Sequence, residues 1–288
     1  MTTTNAPAHR SWSQIHTYQS CPKSYQLTRI LRAPETPAWY LAGGSALHDV
    51  IEHISIRMWR GENPYGANLL DEWNQALDKQ IERLETETGV PQAEWRRGGR
   101  VTKDKPNKED GVWWRSDGYR QLGGYIDWLT QAYADGVRIF DDKAGPWVER
   151  GVNISIGNVP VKMFLDLVVV LPGGELMVID HKSGSRTPLP GQLRLYAYGM
   201  DAADQPRPSL GAYFMTRTGE LSAPWSLPAD YDPVLDDLFI NVDGAIRAQV
   251  FPPHLGTHCG SCGVAKFCAA FGGAEAPNYD PILQDRKA

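Results

Sequence analysis

Residues 161–182 read VKMFLDLVVVLPGGELMVIDHK, and this stretch decides the fold. Residues 161–170 and 176–180 are apolar runs of strand length, and the intervening Pro-Gly-Gly is typical of a turn. The first run carries Asp166 in its middle, and the second ends at Asp180. If the turn closes a hairpin, the two strands are antiparallel neighbours, and the two carboxylates lie close together.

This pair of carboxylates predicts a cation site. Two ionised carboxylates repel each other unless a cation lies between them, and oxygen ligands suit Mg²⁺ or Mn²⁺. Lys182 follows Asp180 by two residues, so both side chains share a face of the strand. An ammonium beside a metal-binding carboxylate suits attack on a phosphodiester, because the metal activates water while the Lys stabilises developing charge. The alternative is a buried Asp–Lys ion pair with a second carboxylate at a strand end.

The flanking sequence predicts the rest of a mixed sheet. Val152, Ile154 and Ile156 alternate with polar residues before a Gly157-Asn158 turn, which adds a strand ahead of the hairpin. Three more elements follow the hairpin, namely a short amphipathic helix, a strand and a helix, over residues 189–200, 208–216 and 232–249. The predicted fold class is therefore α/β, with a sheet core flanked by helices.

The first half of the chain is predicted to be largely helical. Gly43-Gly44-Ser45 opens a helix that continues through Ile54, and residues 68–88 and 117–135 show helical periodicity. No internal repeat is visible, and we expect a single domain. Its parts are an N-terminal segment, a helical insertion, the sheet core and a C-terminal cysteine segment, over residues 1–48, 49–146, 147–250 and 251–288.

Three more polar residues are candidates for the same site. Gln192 and Tyr196 are four residues apart in a helical stretch, so they share a face and could hold a phosphate or a base near the metal. The alternative is a polar helix edge. His48 could complete the metal shell as a neutral imidazole, although a lone helical His is more often solvated or capped.

All four cysteines fit one arrangement, because Cys21 stands near the N-terminus and Cys259, Cys262 and Cys268 lie close together. Four thiolates make a complete shell for a [4Fe–4S] cluster or for Zn²⁺, and either group would join the two ends of the chain. His254 and His258 are substitute ligands for zinc.

Composition restricts the class of protein. The chain has 288 residues with 42% hydrophobic and 10% aromatic content, which excludes a disordered polypeptide. The net charge of −5 does not exclude nucleic acid, because a protein can be acidic overall and basic locally. We find no membrane-spanning run and no apolar leader, so we expect a cytoplasmic protein that does not bind membranes. In that compartment the cysteines favour metal ligation or redox chemistry over disulfides.

Taken together, these residues resemble the PD-(D/E)xK nuclease superfamily. The resemblance is to the RecB-like iron–sulfur exonucleases, which include CRISPR-associated nucleases and the nuclease domains of AddB-type helicase–nucleases. It covers both ends of the chain and residues 147–200. The matching positions, in the family's order, are Ser13-Gln14-Ile15, Tyr18, Cys21-Pro22, His48, Asp166, Asp180-His181-Lys182, Gln192, Tyr196, Cys259, Cys262 and Cys268.

The resemblance implies a restriction-endonuclease-like core and divalent-metal hydrolysis of DNA, often exonucleolytic and on single strands. His48, Asp166 and Asp180 would bind the metal, and the carbonyl of His181 would be a further ligand. Lys182 would act on the attacking water. Gln192 and Tyr196 would contact DNA, and the four cysteines would hold a structural [4Fe–4S] cluster.

Two basic regions are candidate DNA contacts. Arg96, Arg97 and Arg100 lie in a Gly- and Pro-containing segment, 94–115, that also holds three tryptophans. Cations neutralise phosphates and Trp offers a stacking face, while the alternative is a solvated loop whose tryptophans pack on the core. Lys23 belongs to a second basic group beside Cys21.

Three functions remain open from the sequence. The first is a metal-dependent DNA exonuclease with a structural iron–sulfur cluster, expected to act on single-stranded ends. The second is a non-catalytic or partner-dependent DNA-binding subunit of a recombination or CRISPR spacer-acquisition complex, and a homo-oligomer is compatible with either. The third is a zinc protein of nucleic-acid metabolism.

Overall fold

A computed structural model describes residues 7–99, 109–279 and 283. Within that part of the chain the α-helices, in order, are α1 Trp12–Ser20, α2 Pro22–Tyr25, α3 Trp39–Trp59, α4 Leu69–Thr88, α5 Gly111–Ala134, α6 Gly191–Ala202, α7 Asp232–Arg247 and α8 Ala276–Tyr279. The strands are β1 Arg138–Ile139, β2 Asp141–Asp142, β3 Gly145–Pro146, β4 Val148–Ile156, β5 Val159–Val170, β6 Leu176–Lys182, β7 Leu210–Met215, β8 Glu220–Leu221 and β9 Trp225–Ser226.

The centre of the fold is a mixed sheet around β5 and β6. Strands β4, β5 and β6 are antiparallel neighbours, joined by the two predicted turns. β7 lies parallel to β6, and α6 makes the crossover between them. The short strands β1, β8 and β9 extend the sheet as antiparallel partners. The predicted mixed α/β core is therefore confirmed.

Each face of the sheet is covered by helices. On one face, α3, α4 and α5 pack on a core that includes Leu167 and Ile179. On the other face, α1, α6 and α7 pack on a core that includes Leu165 and Val178. Among the described helices, none combines the length and the apolar character needed to cross a bilayer.

Two helices begin earlier than the sequence predicts. α3 begins at Trp39 rather than at Gly43, because the Trp39 N–H bonds the Arg96 carbonyl and the indole is buried. α5 begins at Gly111, where Asp110 caps it by accepting a hydrogen bond from the Trp113 N–H. Both starts depend on contacts with distant or capping groups, which apolar periodicity does not report.

The N-terminal segment is attached to the hairpin of β4 and β5. The N–H of Arg10 donates to the Pro160 carbonyl, and the Lys162 N–H donates to the Arg10 carbonyl. The Arg10 guanidinium is buried, and it pairs with Asp243 of α7 over 2.7 Å. This buried pair anchors the start of α1 beside the middle of the sheet.

The contact between α4 and α5 depends on one glycine, and we expect Gly118→Ala to lower the free energy of unfolding. A Cβ at Gly118 would lie 2.0 Å from the buried Trp73 ring. Overpacking of this kind costs about 1–3 kcal/mol, which urea unfolding would measure.

Gly123→Ala is the matched control for this prediction. Gly123 lies in the same helix, and a Cβ there meets nothing within 4 Å. This variant should gain about 0.5–1 kcal/mol from helix propensity. Equal changes in the two variants would contradict the packing argument.

Candidate active site

The candidate site lies where the pairing between β5 and β6 ends. Asp166 and Asp180 lie opposite each other, one step beyond the Leu167–Ile179 pair. They are only 6% and 1% exposed. Asp166 accepts a hydrogen bond from the backbone N–H of His181 over 2.7 Å. Burial, and then repulsion from Asp180, raises the pKa of Asp166, so this carboxylate needs a cation nearby to ionise at neutral pH.

Four side chains form a closed ring of polar contacts on the α6 side of the sheet. The Lys182 ammonium lies 2.5 Å from Oδ2 of Asp180. The two groups form an ion pair, but their angles do not meet those of a hydrogen bond. The same ammonium donates to Oε1 of Gln192 over 3.1 Å. Nε2 of Gln192 donates to the Tyr196 hydroxyl over 2.6 Å, and that hydroxyl donates to Oδ1 of Asp180 over 3.2 Å. The structure thus brings together four residues that the sequence placed at one site.

Tyr196 is held as a hydrogen-bond donor in this ring. Burial, followed by the Asp180 carboxylate, raises the pKa of Tyr196 well above its usual value, so the phenol keeps its proton. Together with Lys182, the phenol fixes the orientation of the Asp180 carboxylate. Gln192 and Tyr196 also line the open cleft in front of Asp166, so their predicted contact with DNA is compatible with their position.

His48 reaches the site from the opposite face, on α3. Its Nδ1 lies 3.1 Å from Oε1 of Glu149 and 3.6 Å from Oδ2 of Asp166. Burial by itself lowers the pKa of His48, but the carboxylates of Asp166, Glu149 and Asp180 outweigh it and raise the pKa to about 9. The metal-free site therefore holds a proton at neutral pH that a cation would have to displace.

The His181 side chain also lies at the site, whereas the sequence interpretation used only its carbonyl. The imidazole is 1% exposed, and neither ring nitrogen has a hydrogen-bond partner. Its Nδ1 lies 3.7 Å from Oδ2 of Asp166, and its ring packs edge-on against Tyr125 and His48. Burial, and then the charges of His48 and Lys182, lowers the pKa of His181 far below its usual value. The ring is thus neutral, which is the form that binds metals.

A divalent cation fits the residues present. Within the described part of the chain, His48, Asp166 and His181 are the one group of three or more metal-ligating side chains whose ligand atoms all lie within 4.8 Å of one another. Imidazole nitrogen and carboxylate oxygen both ligate Mn²⁺-class ions. Asp180 is not part of this group, and its carboxylate contacts Lys182 and Tyr196.

Glu149 is a site residue that the sequence analysis missed. It pairs with His48, and it lies in β4 opposite Asp166 of β5, between the register pairs Val148–Leu167 and Arg150–Leu165. Its φ of 46° is left-handed, which is uncommon for a non-glycine residue. No motif or periodicity in the sequence marks this position. Strain of this kind costs about 1–3 kcal/mol and is typical of functional sites.

The strained residue coincides with a change of face in the sheet. Side chains two apart in a strand ordinarily share a face. Here Leu165 packs in the core under α6 and α7, whereas Leu167 packs in the core under α3, α4 and α5. Asp166 lies at this crossover. Groups from both faces of the sheet therefore reach its carboxylate.

The four cysteines lie apart from this site but line one common cavity of about 240 Å³. Their thiols are part-buried and unpaired, and no three of these sulfurs lie within 4.8 Å of one another. The His254 N–H donates to Sγ of Cys21 over 3.5 Å, and Cys259 contacts the His254 carbonyl. The structure thus places the N-terminal cysteine beside the C-terminal three.

The predicted basic DNA contacts have different environments. Arg97 is exposed, while Lys23 is buried and donates to Gln26 over 2.9 Å. The Arg96 guanidinium bonds the carbonyls of Thr36 and Ser261, which ties it to the cysteine segment. Arg100 lies outside the described residues.

The tryptophans of segment 94–115 pack on the core. Trp95 and Trp114 are 3% and 0% exposed, and Trp113 is part-buried. Trp95 packs against Trp39 and donates to the Val90 carbonyl. Trp95 and Trp114 therefore follow the alternative interpretation of this segment, in which the tryptophans pack on the core. They offer no stacking face to solvent.

Comparison with known proteins identifies a family and several relatives. The model of the PD-(D/E)XK nuclease superfamily matches residues 9–269. Two similar proteins, from Mycobacterium phage L5 and Mycobacterium phage D29, are both named Gene 69 protein and are 29% identical. These matches cover 91% of this chain and 96% and 97% of the phage proteins. The structure titled "Crystal structure of SSO0001" aligns at 13% identity over 80% of this chain and 95% of that chain, with a TM-score of 0.35.

The raised pKa values of Asp166 and His48 predict that the stability of the protein without metal depends on pH. The native state holds protons there that the unfolded chain releases at lower pH, so stability is lost as pH rises. We expect the Tm without metal to fall by about 2–4 °C or more between pH 6.5 and 9. Added Mn²⁺ should offset this fall, because it displaces the protons. Differential scanning fluorimetry with EDTA or Mn²⁺ measures both effects.

Asp166→Asn provides the control for this pH dependence. The amide cannot titrate and holds His48 less strongly, so the Tm should depend less on pH and respond less to Mn²⁺. A wild-type Tm that stays constant or rises from pH 6.5 to 9 would contradict the assignment.

Proposed function

The chain belongs to the PD-(D/E)XK nuclease superfamily, and from this premise we propose that it is a divalent-metal-dependent DNA exonuclease acting on single-stranded DNA. The observation that carries the proposal is the ring of Asp180, Lys182, Gln192 and Tyr196 beside the buried Asp166. A structural ion pair alone would not require two more polar side chains from α6, nor a cleft in front of it.

In this proposal the cation is held by His48, Asp166 and Asp180, with the carbonyl or the imidazole of His181 as a further ligand. The donor chemistry of these residues fits Mg²⁺ or Mn²⁺, and the two imidazoles favour Mn²⁺. When bound, the cation would activate the attacking water and neutralise charge that develops on the phosphodiester. Glu149 and the His181 N–H orient His48 and Asp166 toward that position.

Lys182 supplies a second positive charge at the site, which comes from the protein itself and not from the cation. Its side chain is part-exposed, and its ammonium pairs with Asp180. Gln192 holds the ammonium from the α6 side. In this position Lys182 would orient the water or stabilise the oxygens of the phosphorane-like transition state.

We also propose that the four cysteines hold a structural [4Fe–4S] cluster. All four line one cavity, although Cys21 is separated from the others by most of the chain. Four sulfurs around a single zinc ion, each at about 2.3 Å, would stand ~3.8 Å apart. Among the described residues no three of these sulfurs lie within 4.8 Å of one another, so a tetrahedral zinc shell is not preformed. The role is structural because the cluster would join the N-terminal segment to the C-terminal one.

A cleavage assay tests the catalytic proposal. End-labelled linear and circular single-stranded DNA would be incubated with Mg²⁺ or Mn²⁺ and the wild-type chain. We expect loss of the linear strand only, and the fate of the label would give the polarity. Cleavage of the circle would add endonuclease activity, whereas no cleavage by folded protein would favour the partner-dependent DNA-binding subunit.

Within this assay we expect Lys182→Ala to lower the cleavage rate by about 10²–10³-fold, since it removes a charge that stabilises the transition state. DNA binding and the far-UV circular dichroism spectrum should be retained. Lys143→Ala, which removes an exposed ammonium between β2 and β3, serves as the control and should cleave normally. If Lys182→Ala fails to fold, the lysine is structural; if it cleaves at the wild-type rate, its catalytic role is excluded.

The cluster proposal predicts that anaerobically purified protein is brown and contains about four irons and four sulfides per chain. Cys262→Ala should lose most of the iron and should unfold at a lower temperature. Ser261→Ala, which lines the same cavity without a sulfur ligand, should keep both. Elemental analysis that finds one zinc and no iron in the wild-type protein would replace the cluster with a zinc site.

A further inference from the structure

The cleft in front of Asp166 is bordered by two aromatic rings that take no part in the proposed metal site. Its volume is about 380 Å³, and its lining includes Trp12, Lys162, Phe164 and Asp166. Phe164 is 48% exposed, a large value for a Phe in the longest strand of the sheet. An exposed aromatic ring beside a buried carboxylate is a candidate contact for a ligand.

Each ring lies next to a glycine. Phe164 pairs across the sheet with Gly151, and a Cβ at that glycine would come within 3.2 Å of the Phe164 ring. Trp12, at the start of α1, packs on Gly191, where a Cβ would lie 2.2 Å from the indole. Each ring therefore has glycine backbone on one side, and any larger residue at that glycine would crowd it.

Positive charge accompanies the rings. The Lys162 ammonium lies 4.9 Å from the centre of the Phe164 ring, and the Lys182 ammonium donates to Gln192, which lines the cleft. His9 also lines the cleft. Aromatic faces with adjacent ammonium groups are the chemistry that binds unpaired nucleotides, because the bases stack and the phosphates pair with the cations. An uncharged apolar ligand would not need the lysines.

The spacing along β5 relates this surface to the catalytic carboxylates. Phe164 precedes Asp166 by two residues, which is about 6.6 Å along a strand. This distance is about the length of one nucleotide in an extended strand. A phosphate at Asp166 would therefore place the adjoining nucleotide at the Phe164 ring.

We propose that Phe164 is a stacking platform for an unpaired base next to the scissile phosphate, with Trp12 bordering the same cleft from α1. This inference rests on the proposed nuclease function and adds to it the reason for single-strand preference. A base in a duplex has its faces covered by its neighbours and cannot offer one to the ring. The platform thus selects single-stranded DNA, or a frayed end, by stacking.

Fluorescence anisotropy in EDTA tests the platform without cleavage. The probes are a fluorescein-labelled oligothymidylate, an abasic oligonucleotide of equal length and a blunt duplex. We expect Phe164→Ala and Phe164→Leu to bind the oligothymidylate about 5- to 100-fold more weakly than wild type, as loss of one stacked base predicts. The affinity for the abasic strand should stay unchanged, because its phosphates do not contact the ring.

Phe164→Trp and Tyr65→Ala are the control variants of this experiment. Trp restores an aromatic face and should restore affinity, and Tyr65 is an equally exposed aromatic in the connection between α3 and α4. Phe164→Leu keeps the apolar cover over Gly151, so it separates stacking from folding if Phe164→Ala is unstable.

Wild-type affinity in Phe164→Leu, or equal losses for the abasic and thymidylate strands, would overturn the platform while leaving the nuclease intact. Wild-type protein that neither binds nor cleaves any of these strands would instead overturn the proposed function, and the platform with it.

Discussion

The buried pair of carboxylates, Asp166 and Asp180, is the constraint on which the rest of the structure depends. Two acids opposite each other in adjacent strands are unfavourable unless positive charge and hydrogen bonds surround them. Lys182 and the Tyr196 hydroxyl satisfy Asp180, while the His181 N–H and His48 approach Asp166. These groups belong to α3, β6 and α6, so elements on both faces of the sheet contribute to the environment of the two carboxylates.

The position of these acids also requires that both faces of the sheet contribute. α6 supplies Gln192 and Tyr196 from one face, and α3 supplies His48 from the other. A regular strand would expose Asp166 to one face only. The left-handed backbone at Glu149 accompanies a change of face between Leu165 and Leu167, and this irregularity lets both sets of groups meet.

The segment from Arg10 to Cys21 links the sheet with the cysteine cavity. The N-terminal segment pairs with the edge of β5 through Arg10, whose guanidinium pairs with Asp243 in the interior. From there α1 carries Trp12 to the cleft and leads to Cys21 at the cysteine cavity. One short segment thus connects the candidate active site with the proposed cluster.

The sequence by itself determined the mixed sheet and predicted most of the residues that lie together at the candidate site, because strand alternation and helix period act over a few residues. Asp180 and Lys182 share a face at spacing two, and Gln192 and Tyr196 at spacing four, so both pairs could be predicted. Only the tertiary structure decided the contribution of Glu149, the position of the His181 imidazole and the burial of Trp95. These features depend on a left-handed backbone angle and on contacts between residues far apart in the chain, which local patterns of hydrophobicity do not encode.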